Sequence, residues 1–497
     1  MTAKLPAQTL WLENGLPITF LENLHLSEDP DPAVDSSFRL GTVAQTCIGL
    51  SGLSAAYFHQ LRAGKNQSVT VDARHAILEF KSEAYYTVNN KYTRVSLFDE
   101  LAGVYKTRDN GYVRIHTNFP HHKHGILKIL GCDATRSLVQ ESLLKWDSQV
   151  FEDAAAADKM CATAYRTFEK WDQHPQAKAL IGTPPVEVIK VGDAPKRPLK
   201  ELAERPLEGI RVLDLTRVLA GPVCGRTLSA HGADVLFVTS PKLPALPFLD
   251  KDTSRGKRAT QLDLTNESDQ EKLRRLVKDC DVFLQAYRPG GLRDKGFGIE
   301  EMCAERPGVV YASLTAYGWE GPWSERRGFD SLVQNASGFG SAEARAFGEY
   351  KSDDSLCDIP KALPCQCIDH AAGQLLVFGI NAALCKTVTE GGSWEVRVSL
   401  AAVAQWIRSM GQLDPNFAFG QGPPMPHRNI PLAEEIAAIS EKVQIAKPSR
   451  PDRSILEAEL GQMSVIRHAA YLSLTPVCYG SVPYDLDADE PHWIQNQ

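Results

Sequence analysis

Between residues 209 and 314 short apolar segments alternate with helical ones, and few architectures accept that alternation. Residues 209–215 (GIRVLDL) are rich in Val and Leu and bounded by Gly209 and Thr216, the pattern of a strand buried on both faces. A turn, TRVLAGP, leads into VCGRTLSAHG, which has helical character and ends at Gly232, a natural residue just past a helix. Residues 233–240 (ADVLFVTS) form a second buried strand, stopped by Pro241. Asn266 or Ser268 caps a helix through Asp279, with Leu273, Leu276 and Val277 at helical spacing. Residues 281–287 (DVFLQAY) and 308–314 (GVVYASL) add two more strands. Strands and helices in strict alternation predict a parallel sheet covered by helices, an α/β, Rossmann-like unit over about residues 207–340.

The rest of the chain carries different patterns. Residues 41–75 are apolar and helical, then turn at Gly64 into QSVTVDA, an alternating strand. Gly103–Thr107 and Gly111–His116 read as strands joined through Asp109-Asn110-Gly111, and residues 135–175 as helices with Trp146 and Trp171 on their apolar faces. A linker is expected at 196–206, inside the proline- and charge-rich stretch KRPLKELAERP. Shifted by 327 positions, Gly64–Val71 falls on Gly391–Val398, and Gly52, Ala55 and Ala56 fall on Gly379, Ala382 and Ala383. The shared pattern is a helix packed closely through small residues, a glycine turn and an alternating strand, so the chain is expected to hold two related halves.

Composition narrows the class. Hydrophobic residues at 43% and charged residues at 23% fit a soluble globular protein, and a net charge of −7 without any block of like charge argues against a nucleic-acid surface. The N-terminal residues lack the apolar stretch of a signal peptide, and the apolar run Gln374–Cys385 falls short of the ~18 residues a membrane span needs. Eleven cysteines spread along the chain do not form a disulfide framework, so a reduced, cytoplasmic setting is expected.

Few motifs name a chemistry outright. No P-loop, zinc-finger spacing, nucleophile elbow or HExxH occurs. TRVLAGPVCG lacks GxGxxG but puts backbone N–H groups at a helix start, where an anion can sit. Arg255, Lys257 and Arg258 surround one glycine and suit a phosphate-rich ligand, or else form a solvated basic loop. His116, His121, His122 and His124 have no acidic or cysteine partner at ligand spacing, so no metal is expected there. Asp369 stands directly before an apolar helix, where it is either a capping residue or an anion held ionised by the helix start. Asp330 is open to the same two readings.

These segments, in this order, resemble the family III CoA-transferases, the CaiB/BaiF family. The resembling pieces are LEGIRVLDLTRVLAGP, HGADVLFVTSP, SRGKRATQLDL, DVFLQAYRPGGL, VVYASLTAYGWEGPW, RRGFDSLVQNASGF, LPCQCIDHAAG and EGGSWEVRVSL, together covering residues 207–400. The N-terminal 195 residues resemble the remainder of the same fold, YKTRDNGYVRIHTNF matching its small-domain strands. The second half of the fold thus precedes the first, with the helix–strand segment present twice.

The resemblance implies a Rossmann-like large domain with a smaller α+β domain. Residues 1–195 are expected to be the second-half-like region with the small domain, 207–405 the CoA-binding and catalytic region, and 406–497 a partly irregular extension. It implies transfer of CoA from an acyl-CoA thioester to a carboxylic acid through an aspartyl-CoA thioester, with Asp369 of Asp369-His-Ala-Ala-Gly373 as nucleophile. The first-half echo puts Thr42 at that place. By the same match Arg255, Lys257 and Arg258 would hold CoA phosphates, Val218, Leu219 and Ala220 would contact CoA, and Tyr317 would line the pantetheine side. A homodimer without nucleic acid, membrane or metal is implied. Two alternatives stay open. An α-methylacyl-CoA racemase needs a histidine where Phe329 stands, with His370 the nearest substitute. A non-catalytic CoA-binding protein is the other.

Overall fold

A computed structural model describes residues 4–93, 96–198, 204–450 and 460–494. Its centre is a seven-stranded sheet whose order across is Arg258–Gln261, Asp234–Thr239, Arg211–Leu215, Val282–Gln285, Val310–Thr315, Ser393–Ser399 and Glu187–Gly192. Every pairing is parallel except the last, so the Rossmann-like expectation holds and the first half closes one edge. Alternation along the strands divides the core in two. Val212, Leu284, Val310 and Ala312 pack with the helices Ala220–Ala230 and Cys367–Thr389, whereas Leu213, Phe283 and Tyr311 meet Leu273, Leu276 and Val277 of Glu267–Val277 on the other face. That helix starts as expected at Asn266, whose side chain accepts from the Asp269 N–H at 2.8 Å.

The internal echo is structural. Helices Leu40–Ala63 and Cys367–Thr389 are apolar all round, and each is buried along almost its whole length, largely against the other. In each, one glycine lets the following strand close in. A methyl group on Gly52 would meet Val69 Cγ1 at 3.0 Å, and one on Gly379 would meet Val396 Cγ1 at 2.5 Å. Those two valines are equivalent under the same 327-residue shift. Cys367–Thr389 is 23 residues long, and its apolar stretch is longer than the sequence reading gave it; by length and composition it is also a candidate membrane span. Here 89% of its most apolar window is buried inside the protein, which makes it the core helix.

The halves interleave, so the division at 196–206 does not separate two bodies. Residues 199–203 of that expected linker lie outside the described residues. The C-terminal extension joins the first half: Ala470–Leu472 pairs with Val69–Val71, and Gln462–Ile466 with Thr87–Val88. Strands Gly103–Lys106, Tyr112–Ile115 and Ala162–Ala164 form a separate antiparallel sheet, the expected small-domain hairpin turning at Asn110 with a φ of 58°. Trp146 lies in the turn between two helices rather than on a helix face, while Trp171 is buried as expected.

Candidate active site

In an open parallel sheet, ligands bind outside the carboxyl ends of strands where the chain's direction of travel reverses. Here that place lies between Arg211–Leu215 and Val282–Gln285, because the chain moves outward from the first of these strands on one side and returns to its other side. The segments leaving both strands, Arg217–Gly221 and Ala286–Pro289, wall a cleft of about 300 Å³. Val218, Leu219 and Ala220 all border it. Val218 sits at φ 74°, a left-handed conformation that a β-branched residue rarely adopts and that costs about 1–3 kcal/mol.

Asp369 stands at the junction of this cleft with a second cavity of about 320 Å³. It is brought there by Gly373, one helical turn further on. A methyl group at Gly373 would lie 2.6 Å from the Ala220 carbonyl oxygen, so only glycine lets the helix press Asp369 against the Val218–Ala220 turn. The second cavity is largely apolar, with Leu97 and Phe98 from the first half facing Phe248, Leu249 and Leu363 from the second.

The electrostatics overturn one expectation. Asp369 is the third residue of its helix rather than its cap, and the helix-start N–H groups are already taken. Ile368 and Asp369 donate their backbone N–H groups to Asp330 Oδ2, at 2.8 and 3.0 Å. Asp330 is thus a capping carboxylate, but for a helix remote in sequence; its other oxygen accepts from Gln334. Burial, then the charges of Asp330 and Glu83, push Asp369 well above the ordinary carboxylate range, so the helix start does not keep it ionised. Burial likewise raises Asp330, to about 6, against the hydrogen bonds it accepts.

The basic loop also plays another part. Lys257 Nζ is buried, 2.6 Å from Asp214 Oδ2 and 2.9 Å from the Pro222 carbonyl, tying the strand to the cleft turn. Arg255 is buried against Asp252 and the Ile466 carbonyl, and Arg258 is paired with Asp234. None of the three borders the cavities at Asp369, so their expected hold on phosphates gives way to internal ion pairing. Tyr317 is buried beneath Gly328 against Trp323, leaving its neighbours Thr315 and Ala316 to line the cleft.

The cleft carries other cations that sequence reasoning missed. Arg217, Arg288 and Arg327 border it, and among the described residues none forms an ion pair with a carboxylate. Their mutual repulsion is visible at Arg327, held below its ordinary range by burial and then by Arg288 and Arg217. The same field acts on His121 and His122, both depressed first by burial. These histidines lie on the helix Pro120–Leu130. The available signals were the arginine pair before Gly328 and the Tyr287-Arg288-Pro289 run that follows the strand Val282–Gln285.

His370 turns to the first half, its Nε2 3.0 Å from Glu83 Oε2 and its ring stacked on Phe80. Phe329 stacks face to face on His116, with ring centroids 3.9 Å apart.

The model of CoA-transferase family III matches residues 207–433. An acyl-CoA transferase of Gibberella moniliformis is 31% identical over 414 residues, which cover 75% of this chain and 70% of that protein. The chain belongs to CoA-transferase family III. An acetyl-coenzyme A transferase of Hypoxylon pulicicidum is 30% identical over 343 residues, 63% of this chain. Against that relative the chain spans little more than half the partner's length, 55%. A solved CaiB/BaiF family protein from Brucella suis is 27% identical with a TM-score of 0.37, covering 49% of this chain and 64% of that one. The family match begins at the first Rossmann strand and takes in both Asp330 and Asp369.

Proposed function

We propose that this family III chain moves CoA from an acyl-CoA thioester to a carboxylic acid, with Asp369 as the covalent carrier. One observation carries the reading: Asp369 is the carboxylate at which a cationic cleft and an apolar cavity meet. Arg217, Arg288 and Arg327 suit the phosphates of CoA, and the apolar cavity suits the acyl group.

The Asp369 carboxylate attacks the thioester carbonyl carbon, the C–S bond breaks, and CoA leaves as thiolate, giving a mixed anhydride. The thiolate then attacks the aspartyl carbonyl and expels the acyl group as a free carboxylate, leaving an aspartyl-CoA thioester. An incoming acid reverses both steps and departs as the new acyl-CoA. No net proton is consumed. The leading N–H groups of the helix Ala220–Ala230 have no acceptor within the helix, and this first turn borders the cleft where the oxyanion would form.

The depressed acidity of Asp369 fits a carrier. Anhydride and thioester are both uncharged at that carboxyl, so burial beside Asp330 and Glu83 favours the acylated forms over the free carboxylate. Because the first half supplies Glu83, Arg114 and His116 to the same site, one chain builds it whole. A monomer is accordingly proposed as sufficient for activity, in place of the homodimer the resemblance implied.

The test is to trap the carrier. Incubation with an acyl-CoA panel and hydroxylamine should convert Asp369 to its hydroxamate, read by peptide mass, and Asp369→Ala should yield none. CoA transfer at the normal rate in Asp369→Ala overturns the reading.

A further inference from the structure

A further cavity lies at the amino ends of the strands whose carboxyl ends open onto the catalytic cleft. Its volume is about 420 Å³, more than either cavity at Asp369, and it shares no lining residue with them. Arg211 begins one of these strands, Asp281 directly precedes the next, and Gly308 stands two residues ahead of Val310–Thr315. Arg62, in the last turn of the helix Leu40–Ala63, joins them from the first half, with Lys196 and Arg197 from the stretch between the halves.

Five cations, Arg62, Lys196, Arg197, Arg211 and Arg306, line it against two carboxylates, Asp279 and Asp281. Asp281 is already spent. One of its oxygens accepts from Arg197 Nη1 at 2.7 Å and Arg306 Nη2 at 3.3 Å, and the other from the Arg211 backbone N–H at 2.9 Å. Among the described residues Arg62, Lys196 and Arg211 form no ion pair with a carboxylate. Arg62 Nη1 donates to the Pro206 carbonyl at 3.0 Å and Arg211 Nη2 to the Ile494 carbonyl at 3.2 Å, neutral acceptors that leave both charges uncompensated. Burial, with the charge of Arg197 added, holds Arg62 below its ordinary range against the pull of Glu208 and Asp281. A helix C-terminus favours a cation and accounts for Arg62 alone, since Lys196 and Arg211 lie on no helix.

We propose that this cavity is a second anion site, separate from the catalytic cleft, and that it takes a small molecule carrying a diphosphate group. Such a group brings enough negative charge to balance the surplus of three cations, and guanidinium groups grip phosphate oxygens through paired hydrogen bonds. Orthophosphate balances less of that surplus. The walls between the cations, Pro195, Pro198, Ile210 and Pro307, are apolar and suit the organic part of such a ligand. The inference stands apart from the transferase reading, because it uses none of the residues around Asp369.

Calorimetric titration of the full chain with inorganic pyrophosphate and with orthophosphate tests it. Pyrophosphate should bind at least about tenfold tighter than orthophosphate, and Arg62→Gln and Lys196→Gln should each weaken it about tenfold, the scale of one charge-assisted contact. Both variants should keep wild-type affinity for CoA. ADP separates the two sources of a diphosphate: affinity at or above that of pyrophosphate assigns a nucleotide, and absence of binding assigns the free anion. Pyrophosphate that binds no tighter than orthophosphate, or whose affinity is unchanged in both variants, overturns the assignment. Loss of pyrophosphate binding in Arg288→Gln with retention in Arg62→Gln places the anion in the catalytic cleft and also overturns it. If Arg62→Gln does not fold, the exposed Lys196 decides through Lys196→Gln.

Discussion

Asn381 Nδ2 donates to Ser54 Oγ at 3.2 Å, and the two residues occupy the same place in helices 327 positions apart. Equivalent positions touch only where two copies meet about a local twofold axis. The contact therefore marks an axis running between Leu40–Ala63 and Cys367–Thr389, with the two halves of one chain in the role of two subunits. The symmetry stops at the chemistry. Where the second half presents Asp369 to two cavities, the first half has Thr42, buried and hydrogen-bonded to Asp31 Oδ1 at 2.6 Å.

A site completed within one chain should be insensitive to dilution. Specific activity is expected to stay constant from micromolar to nanomolar protein, with the monomer mass in sedimentation. Activity that falls as a dimer dissociates contradicts this.

Asp369→Asn should abolish turnover while leaving CoA binding intact, and it should also change stability with pH. The folded-state acidity of Asp369 is weaker than the unfolded value near 4, so the wild type loses stability as pH rises from about 4 towards the folded pKa, by about 1.4 kcal/mol per pH unit at most. The asparagine variant lacks that slope. Its advantage in thermal midpoint should grow between pH 4 and 8; an advantage independent of pH argues against a raised Asp369.

Asp330→Asn removes one of the charges that oppose ionisation of Asp369, and its remaining side-chain oxygen can still accept a helix N–H. The acidic limb of kcat/KM should move to lower pH. An unmoved limb means that the Asp330 charge does not set the acidity, leaving burial and Glu83.

Cations in the cleft and in the basic loop should fail in different ways. Arg327→Gln or Arg288→Gln should weaken CoA binding roughly tenfold, less at high salt, without lowering the thermal midpoint. Lys257→Met leaves Asp214 buried and unpaired and should cost about 3–5 kcal/mol of stability. A Lys257→Met protein of normal stability and weakened CoA binding would restore the loop as a phosphate site.

The two close-packing glycines should differ as well. Gly379→Ala forces a methyl group against Val396 and should cost about 1–3 kcal/mol. Gly52→Ala meets Val69 at a less severe 3.0 Å, and alanine's better helix propensity, about 1 kcal/mol, offsets the strain. Urea denaturation midpoints of the two variants should therefore separate, with Gly52→Ala near the wild type.

Most strands and helices of the α/β unit were legible because they announce themselves locally: Val212, Leu213 and Leu215 in one short run, Asn266 ahead of a helical face, Gly64 after another; the edge strand Arg258–Gln261, short and charged, was read as a loop instead. The duplication was legible for the same reason, since a glycine, small-residue and strand pattern survives as a spacing. Asp369 was singled out through a motif, and it lies where two cavities meet.

The charges were not legible. Whether a lysine meets phosphate or an aspartate depends on what folds over it, and Lys257 meets Asp214, 43 positions away. The carboxylate that caps the Asp369 helix comes from Asp330, and Arg114 reaches the same cavity from the small-domain sheet of the first half. Local pattern fixes secondary structure because backbone geometry is a short-range property. Acidity, ion pairing and the shape of a cavity are sums over neighbours in space, and only the folding of one half onto the other brought those neighbours together.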